Sequence, residues 1–156
     1  MAKKPPRSKG TARRRKKPLP RCKAILLCDC AIIEQGTGNV SIIGTFTHFR
    51  LQKFPGLSRP FTAFVQLTDG IGAYDIVVEI HDLEKDTILA KAEGIGINFP
   101  EKLGRINVII PLPSLPIHHA GEYDFVIHAN QEVVERQKFT AIAPPEVSDE
   151  SSTPNP

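Results

Sequence analysis

Residues 74–81, YDIVVEIH, alternate between apolar and polar side chains and decide the fold class. In an extended chain the aliphatic side chains share one side and the polar ones share the other: Ile76, Val78 and Ile80 against Asp75, Glu79 and His81. A period of two is typical of a strand whose sheet has one face on a core and the other in water. The stretch therefore predicts a β-strand over Tyr74–His81.

The same period of two recurs along the chain. In EYDFVIH, residues 122–128, the aromatic and aliphatic side chains fall on one side and the polar ones, except Val126, on the other. Further strands are predicted over Phe61–Thr68, Thr87–Ala92, Ile106–Leu112 and Glu132–Ala141. Glycine or proline interrupts every stretch long enough for a capped helix of about ten residues, so no helix is predicted.

Two other runs, Ala24–Glu34 and Val40–Phe49, are apolar on both sides of an extended chain. Strands that read this way are typically buried on both faces. We therefore predict that these two runs form central or sandwiched strands.

Short polar or glycine-containing links join the predicted strands, at residues 36–39, 69–72, 83–86 and 129–132. Links of this length connect antiparallel neighbours. About seven to eight short strands at this spacing favour a sandwich or a small barrel. The predicted fold class is all-β, an antiparallel β-sandwich of immunoglobulin-like or C2-like type.

One local signature bears on the type of sandwich. The stretch HAGEYDF, residues 119–125, opens a strand with Tyr123 after a proline-rich connection. Immunoglobulin-like sandwiches place a tyrosine near the start of a late strand, and its hydroxyl bonds to upstream backbone. The alternative is that Tyr123 only fills the core, and the sequence leaves both interpretations open.

Charge divides the chain unevenly. Residues 1–23 carry eleven Lys or Arg and no acid, whereas residues 24–156 carry nine bases and all seventeen acids, a net charge of −8. Residues 1–21 have little to bury, so we predict a disordered basic tail there. Residues 144–156 are predicted to form a disordered acidic and proline-rich tail, which leaves residues 22–143 as the domain.

The basic tail is the one segment that implies a partner by itself. Its continuous polycation, Arg13, Arg14, Arg15, Lys16 and Lys17, predicts contact with nucleic-acid phosphates or another anionic surface. No aromatic residue is interleaved for base stacking, so such binding is expected to be insensitive to sequence. The alternative is a tail that solubilises the protein or neutralises its own acidic domain.

Cys22, Cys28 and Cys30 form an odd, clustered set rather than a disulfide framework, which favours a reducing, cytoplasmic location. The apolar run 24–28 is too short for a secretion signal, and no apolar stretch approaches the roughly 20 residues of a membrane span. A zinc site that joins the cysteines to the histidine pair at 118–119 is an alternative. Paired ligand clusters at short spacing are lacking, so no metal is predicted.

Catalytic motifs are lacking as well: the chain has no Gly-x-Ser-x-Gly, no P-loop and no dinucleotide-binding turn. We therefore predict neither enzymatic activity nor a cofactor. Most acids fall on predicted wet faces or in loops, where charges ordinarily lie: Asp75, Glu79, Asp82 and Asp86. The acidic loops 69–75 and 82–86 leave calcium as an alternative.

Asp29, within AILLCDCAII, is the exception among the acids. An acid in so apolar a run is expected to be hydrogen-bonded, at a bulge or on an edge. We expect its carboxylate to hold the amides of a neighbouring loop, and a functional Asp29 is the alternative.

Four segments carry a resemblance: KAILLCDCAIIEQGTGNVSIIGTFTHF (23–49), FPGLSRPF (54–61), LTDGIGAYDIVVEIHDLEKDTILA (67–90) and GEYDFVIHANQEVVERQKF (121–139). They resemble an uncharacterised bacterial family of small β proteins, a domain of unknown function with an LLCD-A opening, an IIG-F strand, an FP-containing link and a G-Y-F hairpin. The resemblance covers most of residues 23–140, and LLCD…SIIGTF is its more specific part. It implies a compact β-sandwich without an established activity or known functional residues, and the basic tail is an addition to the pattern.

From these observations we expect a non-enzymatic binding or assembly module whose partner is an unidentified protein or a second copy of itself. The alternative is a nucleic-acid-associated protein that uses its basic tail for sequence-independent phosphate contacts, with the β-domain as a dimerising or tethering body.

Overall fold

The computed structural model describes residues 16–101 and 104–145, and in them the chain forms twelve β-strands and no helix. In chain order these are β1 (Arg21–Cys28), β2 (Cys30–Ile33), β3 (Val40–Ile43), β4 (His48–Arg50), β5 (Gly56–Leu57), β6 (Phe61–Thr68), β7 (Gly72–Asp82), β8 (Thr87–Phe99), β9 (Arg105–Leu112), β10 (Pro116–Ile117), β11 (Gly121–Ala129) and β12 (Glu132–Ile142). The predicted all-β class is confirmed.

Two large sheets stack to form a sandwich. One has three antiparallel strands in the order β1-β6-β9, and the other has five in the order β4-β12-β11-β7-β8. The pairing of β4 with β12 is parallel, and the other pairings in these sheets are antiparallel. Two small sheets, β2-β3 and β10-β5, lie outside this order. The predicted β-sandwich is therefore confirmed.

The core lies between the two large sheets and follows the alternation read from the sequence. Side chains of β7 and β11 that were predicted to point inward are buried, among them Ile76 and Phe125, which are fully buried. The rings of Phe49 on β4 and Phe61 on β6 are 5.2 Å apart, and Phe49 also contacts Phe139 on β12 at 5.4 Å. These aromatic contacts join one sheet to the other through the centre of the domain.

The prediction that Ala24–Glu34 and Val40–Phe49 form central or sandwiched strands is wrong. The first run breaks at Asp29 into β1, an edge strand of the three-stranded sheet, and β2. The second breaks near Gly44, after which β4 joins the other sheet. Between the breaks β2 and β3 pair with each other as a separate hairpin. One face of the hairpin is exposed and the other is mostly half-buried, so neither strand is sandwiched between sheets.

Tyr123 both fills the core and bonds to upstream backbone. Its side chain is fully buried, and its hydroxyl donates a hydrogen bond to the carbonyl oxygen of His119 at 2.9 Å. The ring also stacks between His119 and Phe139, at centroid distances of 5.5 and 5.6 Å. This is the tyrosine corner expected of an immunoglobulin-like sandwich.

We expect Tyr123→Phe to lower the free energy of unfolding by about 1–2 kcal/mol, because it removes the donor and leaves the His119 carbonyl without it. Urea denaturation followed by circular dichroism measures the change, with the dependence of the unfolding free energy on urea expected to stay constant. An unchanged midpoint would show that the hydroxyl does not stabilise the corner.

Candidate functional site

The hairpin formed by β2 and β3, residues 30–43, exposes more large apolar side chains than any comparable stretch that the structure describes. Ile32, Ile33 and Ile43 are 50%, 50% and 53% exposed. Ile33 shares one face of the hairpin with its cross-strand partner Val40, whereas Ile32 and Ile43 fall on the other. We call residues 30–43 the apolar hairpin.

The bend that directs the apolar hairpin away from the sandwich is built around Asp29. Its backbone N–H donates to the carbonyls of Ile43 and Gly44, at 3.0 and 3.1 Å, and its carboxylate pairs with Arg59. Gly44 has a positive φ of 66°, and a Cβ there would collide with the Asp29 carboxylate. Only glycine therefore fits beside Asp29 at this bend.

Asp29 lies at a bend and is hydrogen-bonded, as expected, but its carboxylate does not hold the amides of a loop. The side chain is 42% exposed and forms an ion pair with Arg59. The Arg59 guanidinium also lies 5.2 Å from the centre of the Phe46 ring. Asp29 and Arg59 thus fix the base of the apolar hairpin to the chain that enters β6.

A groove of ≈690 Å³ runs beside the apolar hairpin, between β1 and the segment 45–51. Leu26, which is 39% exposed, lines it together with the half-buried Phe46. Phe46 N–H donates to the Leu27 carbonyl at 2.9 Å and so covers part of the edge of β1. Arg59, which pairs with Asp29, also lines the groove, so the groove lies next to the base of the apolar hairpin.

Asp82, and not Asp29, is the acid whose carboxylate holds the amides of a neighbouring loop. Contrary to the prediction of a wet face or loop, Asp82 is fully buried. One carboxylate oxygen accepts hydrogen bonds from the N–H groups of Glu84 and Lys85, at 3.0 and 3.1 Å. The other lies 2.8 Å from His119 Nε2. Asp82 thereby ties the turn after β7 to the tyrosine corner.

The pKa values of this cluster favour its charged forms. Burial acts to raise the pKa of Asp82, but the hydrogen bonds from Lys85, His119 and Glu84 outweigh it and leave that pKa below its ordinary value. The contact with the Ala120 carbonyl, followed by that with Asp82, raises the pKa of His119. Glu84 Oε2 lies 3.0 Å from His119 Nδ1 and adds to this. The cluster therefore acts as a structural clamp.

The solvent side of the five-stranded sheet carries a second charged group. We call it the outer face, and it is lined by Asp75, Val77, Glu79, His81, Lys91, Glu93, Asp124, Val126, His128, Arg136 and Lys138. Glu79 Oε2 lies 2.8 Å from His81 Nε2 and 3.1 Å from His128 Nε2. The hydrogen bond to His81 is the main cause that lowers the pKa of Glu79. A groove of ≈710 Å³ crosses this face.

The described residues show no arrangement of ligands that supports the zinc or the calcium alternative. Cys28 is buried and donates to the Thr62 carbonyl at 3.4 Å, whereas Cys30 is exposed and Cys22 is half-buried. Burial raises the pKa of both the Cys22 and the Cys28 thiols, which disfavours their metal-binding thiolate forms. Among the residues that the structure describes, no three His, Cys, Asp or Glu side chains converge to hold a metal ion.

Of the predicted anion-contact residues, Arg13, Arg14 and Arg15 lie outside the described residues. Lys16 pairs with Glu132 at 2.7 Å. Lys17 bonds to the Ala73 carbonyl, with its Nζ 3.9 Å from the centre of the Tyr74 ring. Within the described ranges, no helix is long and apolar enough to cross a membrane.

Sequence reasoning missed both the apolar hairpin and the Asp82 clamp. A signal existed for Asp82, because it continues the inward-facing series of even-numbered residues from Tyr74 to Ile80. No sequence signal paired it with His119, thirty-seven residues away. Nor did any signal distinguish a buried apolar strand from an exposed one at residues 30–43.

We expect Asp82→Ala to lower the free energy of unfolding by about 2–4 kcal/mol, since it removes the acceptor of three donors. The loss should be largest between pH 4 and 6.5. Below its ordinary pKa of 3.8, Asp82 loses its contribution as the pH falls through the folded-state value. Above the ordinary pKa of 6.5, His119 loses its contribution as the pH rises through its raised value.

The matched control is Asp75→Ala, an exposed acid on the same strand, which should change the stability by less than about 0.5 kcal/mol. Thermal and urea unfolding across the pH range measures both variants. Equal stability of the two variants at pH 5 would refute the clamp.

The comparison with curated proteins gives no match. Among solved structures, the chain is similar to an immunoglobulin-like protein from Pseudomonas aeruginosa, with a TM-score of 0.41 and 12% sequence identity. The alignment covers 81% of this chain and 99% of that chain. A likeness at this level says nothing about what the chain binds.

A family profile, described as a family of unknown function (DUF6941), matches residues 23–142. This stretch contains the four segments that carry the resemblance seen in the sequence. The resemblance is therefore confirmed, and the chain belongs to the DUF6941 family.

Proposed function

We propose that this domain is a non-enzymatic assembly module that binds a second copy of the same chain through its apolar hairpin. The exposure of Ile32, Ile33 and Ile43, each at half or more, carries the proposal. Apolar patches that stay exposed in a folded domain mark interaction surfaces. An isolated two-stranded hairpin is also only marginally stable in water, so a partner that covers it stabilises it.

The hairpin offers an open edge. Within the described residues β3 pairs with β2 alone, which leaves its other edge without a strand. Such an edge is a template for the addition of another strand. Two copies of β3 that pair antiparallel about a twofold axis form an isologous contact, in which the same surface of each chain meets the other.

Charge favours a second copy as the partner. Residues 30–44 contain one charged side chain, Glu34, although 24% of the residues in the chain are charged. Two identical surfaces of this kind approach each other without like-charge repulsion. The exposed Leu26 beside the hairpin adds apolar area to the contact.

We expect the full chain to sediment as a dimer at micromolar concentration and Ile43→Lys to weaken the dimer more than about tenfold. The substitution places two like charges across the twofold axis and adds a lysine to the edge strand. Sedimentation equilibrium over a concentration series measures the dissociation constant.

Ile88→Lys is the matched control, because Ile88 is also 53% exposed but lies on β8 in the other part of the fold. Neither isoleucine belongs to the buried core, so both variants should fold. A wild-type chain that stays monomeric would overturn the proposal, and so would equal weakening by both substitutions.

We also propose a cytoplasmic location. The cysteines of the domain, Cys22, Cys28 and Cys30, are free thiols, which supports a reducing compartment.

A second candidate function is sequence-independent contact with nucleic acid through the basic N-terminal segment. Residues 1–15 carry seven Lys or Arg and no acid, which favours contact with phosphates. Substitution is a better test than truncation to residue 20. Pro18 accepts a hydrogen bond from the Tyr74 hydroxyl at 2.7 Å and Leu19 packs against the core, so removing them would also disturb the domain.

We expect the full chain to bind a random-sequence DNA duplex with an affinity that falls steeply between about 50 mM and 200 mM salt. Replacing Arg13, Arg14 and Arg15 by serine should reduce the slope of log affinity against log salt concentration by about 3. Each lost phosphate contact means that about one counterion fewer is released on binding. Fluorescence anisotropy at several salt concentrations measures the slope.

The control variant replaces Lys53, Lys85 and Arg105 by serine, which removes the same charge from exposed positions of the domain. Its slope should match that of the wild type. If the wild type does not bind at low salt, or if both variants lose equal slope, the segment has no role in phosphate contact.

A further inference from the structure

The chain enters the domain at the rim of the outer face. Lys16 pairs with Glu132, which follows Gln131 at the turn between β11 and β12. Lys17 lies over the ring of Tyr74, which precedes Asp75 on β7. Asp75 and Gln131 both line the groove of the outer face. Residues 16 and 17 thus lie at the end of the sheet where the groove begins, although the Tyr74 side chain itself points into the core.

We propose that the outer face binds residues 1–15 of the same chain as a basic peptide. This interaction is separate from the self-association through the apolar hairpin and does not rest on it. The occupant of the face is the chain segment that joins the domain at Lys16. Four observations support it: the opposite charges of segment and groove, the length of the segment, a buried carboxylate oxygen without a hydrogen-bond donor among the described residues, and the covalent attachment of the segment to the domain.

The charges of the two surfaces are complementary. The groove is lined by three acids, Asp75, Glu79 and Glu93, and by one permanent cation, Lys91. Residues 1–15 carry seven bases and no acid. Lys16 and Lys17 already contact an acid, a carbonyl and an aromatic ring at the rim. The segment that precedes them continues the same chemistry toward the groove.

The segment is long enough to cross the whole face. Asp75 and His81 are six residues apart on β7, or about 20 Å at 3.3 Å per residue. Fifteen extended residues span up to about 50 Å. A segment of this length that starts from Lys16 is therefore long enough for its bases to meet any acid of the face.

Asp124 provides an independent observation on the outer face, although Arg136 already pairs with one of its oxygens. It is 5% exposed, and its Oδ1 has no hydrogen-bond partner among the residues that the structure describes. Its other oxygen lies 3.6 Å from the Arg136 guanidinium, and it stands opposite His81 on β7. A buried carboxylate oxygen without a donor is costly, and a guanidinium is the donor group that best relieves it.

Attachment to the same chain favours residues 1–15 over a foreign basic peptide. A flexible link of a few residues holds a ligand at an effective concentration in the millimolar range. Individual surface ion pairs contribute less than about 1 kcal/mol each, so several weak contacts suffice at that concentration but not for a dilute peptide. The segment joins the domain at Lys16, near the end of the sheet where Asp75 and Gln131 line the groove, so only a short loop must be closed.

Carbodiimide cross-linking of the full chain at low salt tests the contact. The reagent joins lysine amines to carboxylates that lie against them, and mass spectrometry locates the products. We expect Lys3, Lys4 and Lys9 to link to Asp75 and Glu93 several-fold more often than to Asp29 and Glu34. The latter two are exposed acids at the apolar hairpin, remote from the outer face, and serve as controls.

An equal mixture of isotopically light and heavy chains identifies which links form within one chain. Links should be intramolecular and should be lost at about 1 M salt, where the Debye length is about 3 Å. Links spread evenly over the control acids, links mainly between chains, or no links at low salt would each overturn the proposal.

Amide chemical shifts of the full chain give a second measurement that needs no reagent. Replacing Arg13, Arg14 and Arg15 by serine should shift amides of the outer face, including Asp124 and His128, and leave the apolar hairpin unchanged. An outer face that does not respond to this substitution would refute the contact even if cross-links were found.

Discussion

Contact between the two sheets through large side chains is the constraint on which the remaining structure depends. Phe49, Phe61 and Phe139 meet across the sheets, and β6, β7 and β11 supply fully buried residues around them. Since β6 begins at Phe61, directly after Pro60, β1 has a neighbour only as far as the pair Cys28–Thr62. Beyond that point the chain needs another partner, and β2 finds it in β3. The apolar hairpin thus forms because the apolar run 24–34 is longer than the part of β6 with which it can pair.

The strands that could be predicted from the sequence are those with one wet face. The bounds predicted for Phe61–Thr68 match those of β6. The predicted strand Tyr74–His81 begins two residues after the start of β7 and ends one residue before its end. The predicted strand Thr87–Ala92 ends before Gly94 and Gly96, seven residues short of the end of β8. In the structure β8 continues to Phe99 with a shift in register against β7 and a positive φ at Gly94. A glycine that permits such a bulge does not end the strand.

A run that is apolar on both sides is compatible with two structures, and the amino-acid sequence of the run does not distinguish them. A strand buried on both faces and a strand of a partly exposed hairpin have the same apolar pattern, and residues 30–43 form the second. The choice depends on where the neighbouring strand ends, which is a tertiary property. The same limit applies to Asp82 and Asp29. Alternation places Asp82 inward, but whether a buried carboxylate finds His119 and two backbone amides is settled only by the fold.

The basic segment enters the domain at one end of β1, and the apolar hairpin begins beyond the other end. Arg21 pairs with Thr68 near the entry of the basic segment, and Cys28 pairs with Thr62 at the base of the apolar hairpin. Eight residues of extended strand separate these ends by roughly 25 Å. That distance exceeds the Debye length of about 8 Å at physiological salt, so the charge at one end is screened from the other. The electrostatic contact therefore responds to salt, whereas the apolar contact responds to changes in its exposed isoleucines. Because the two surfaces share no residues, the domain can use them independently.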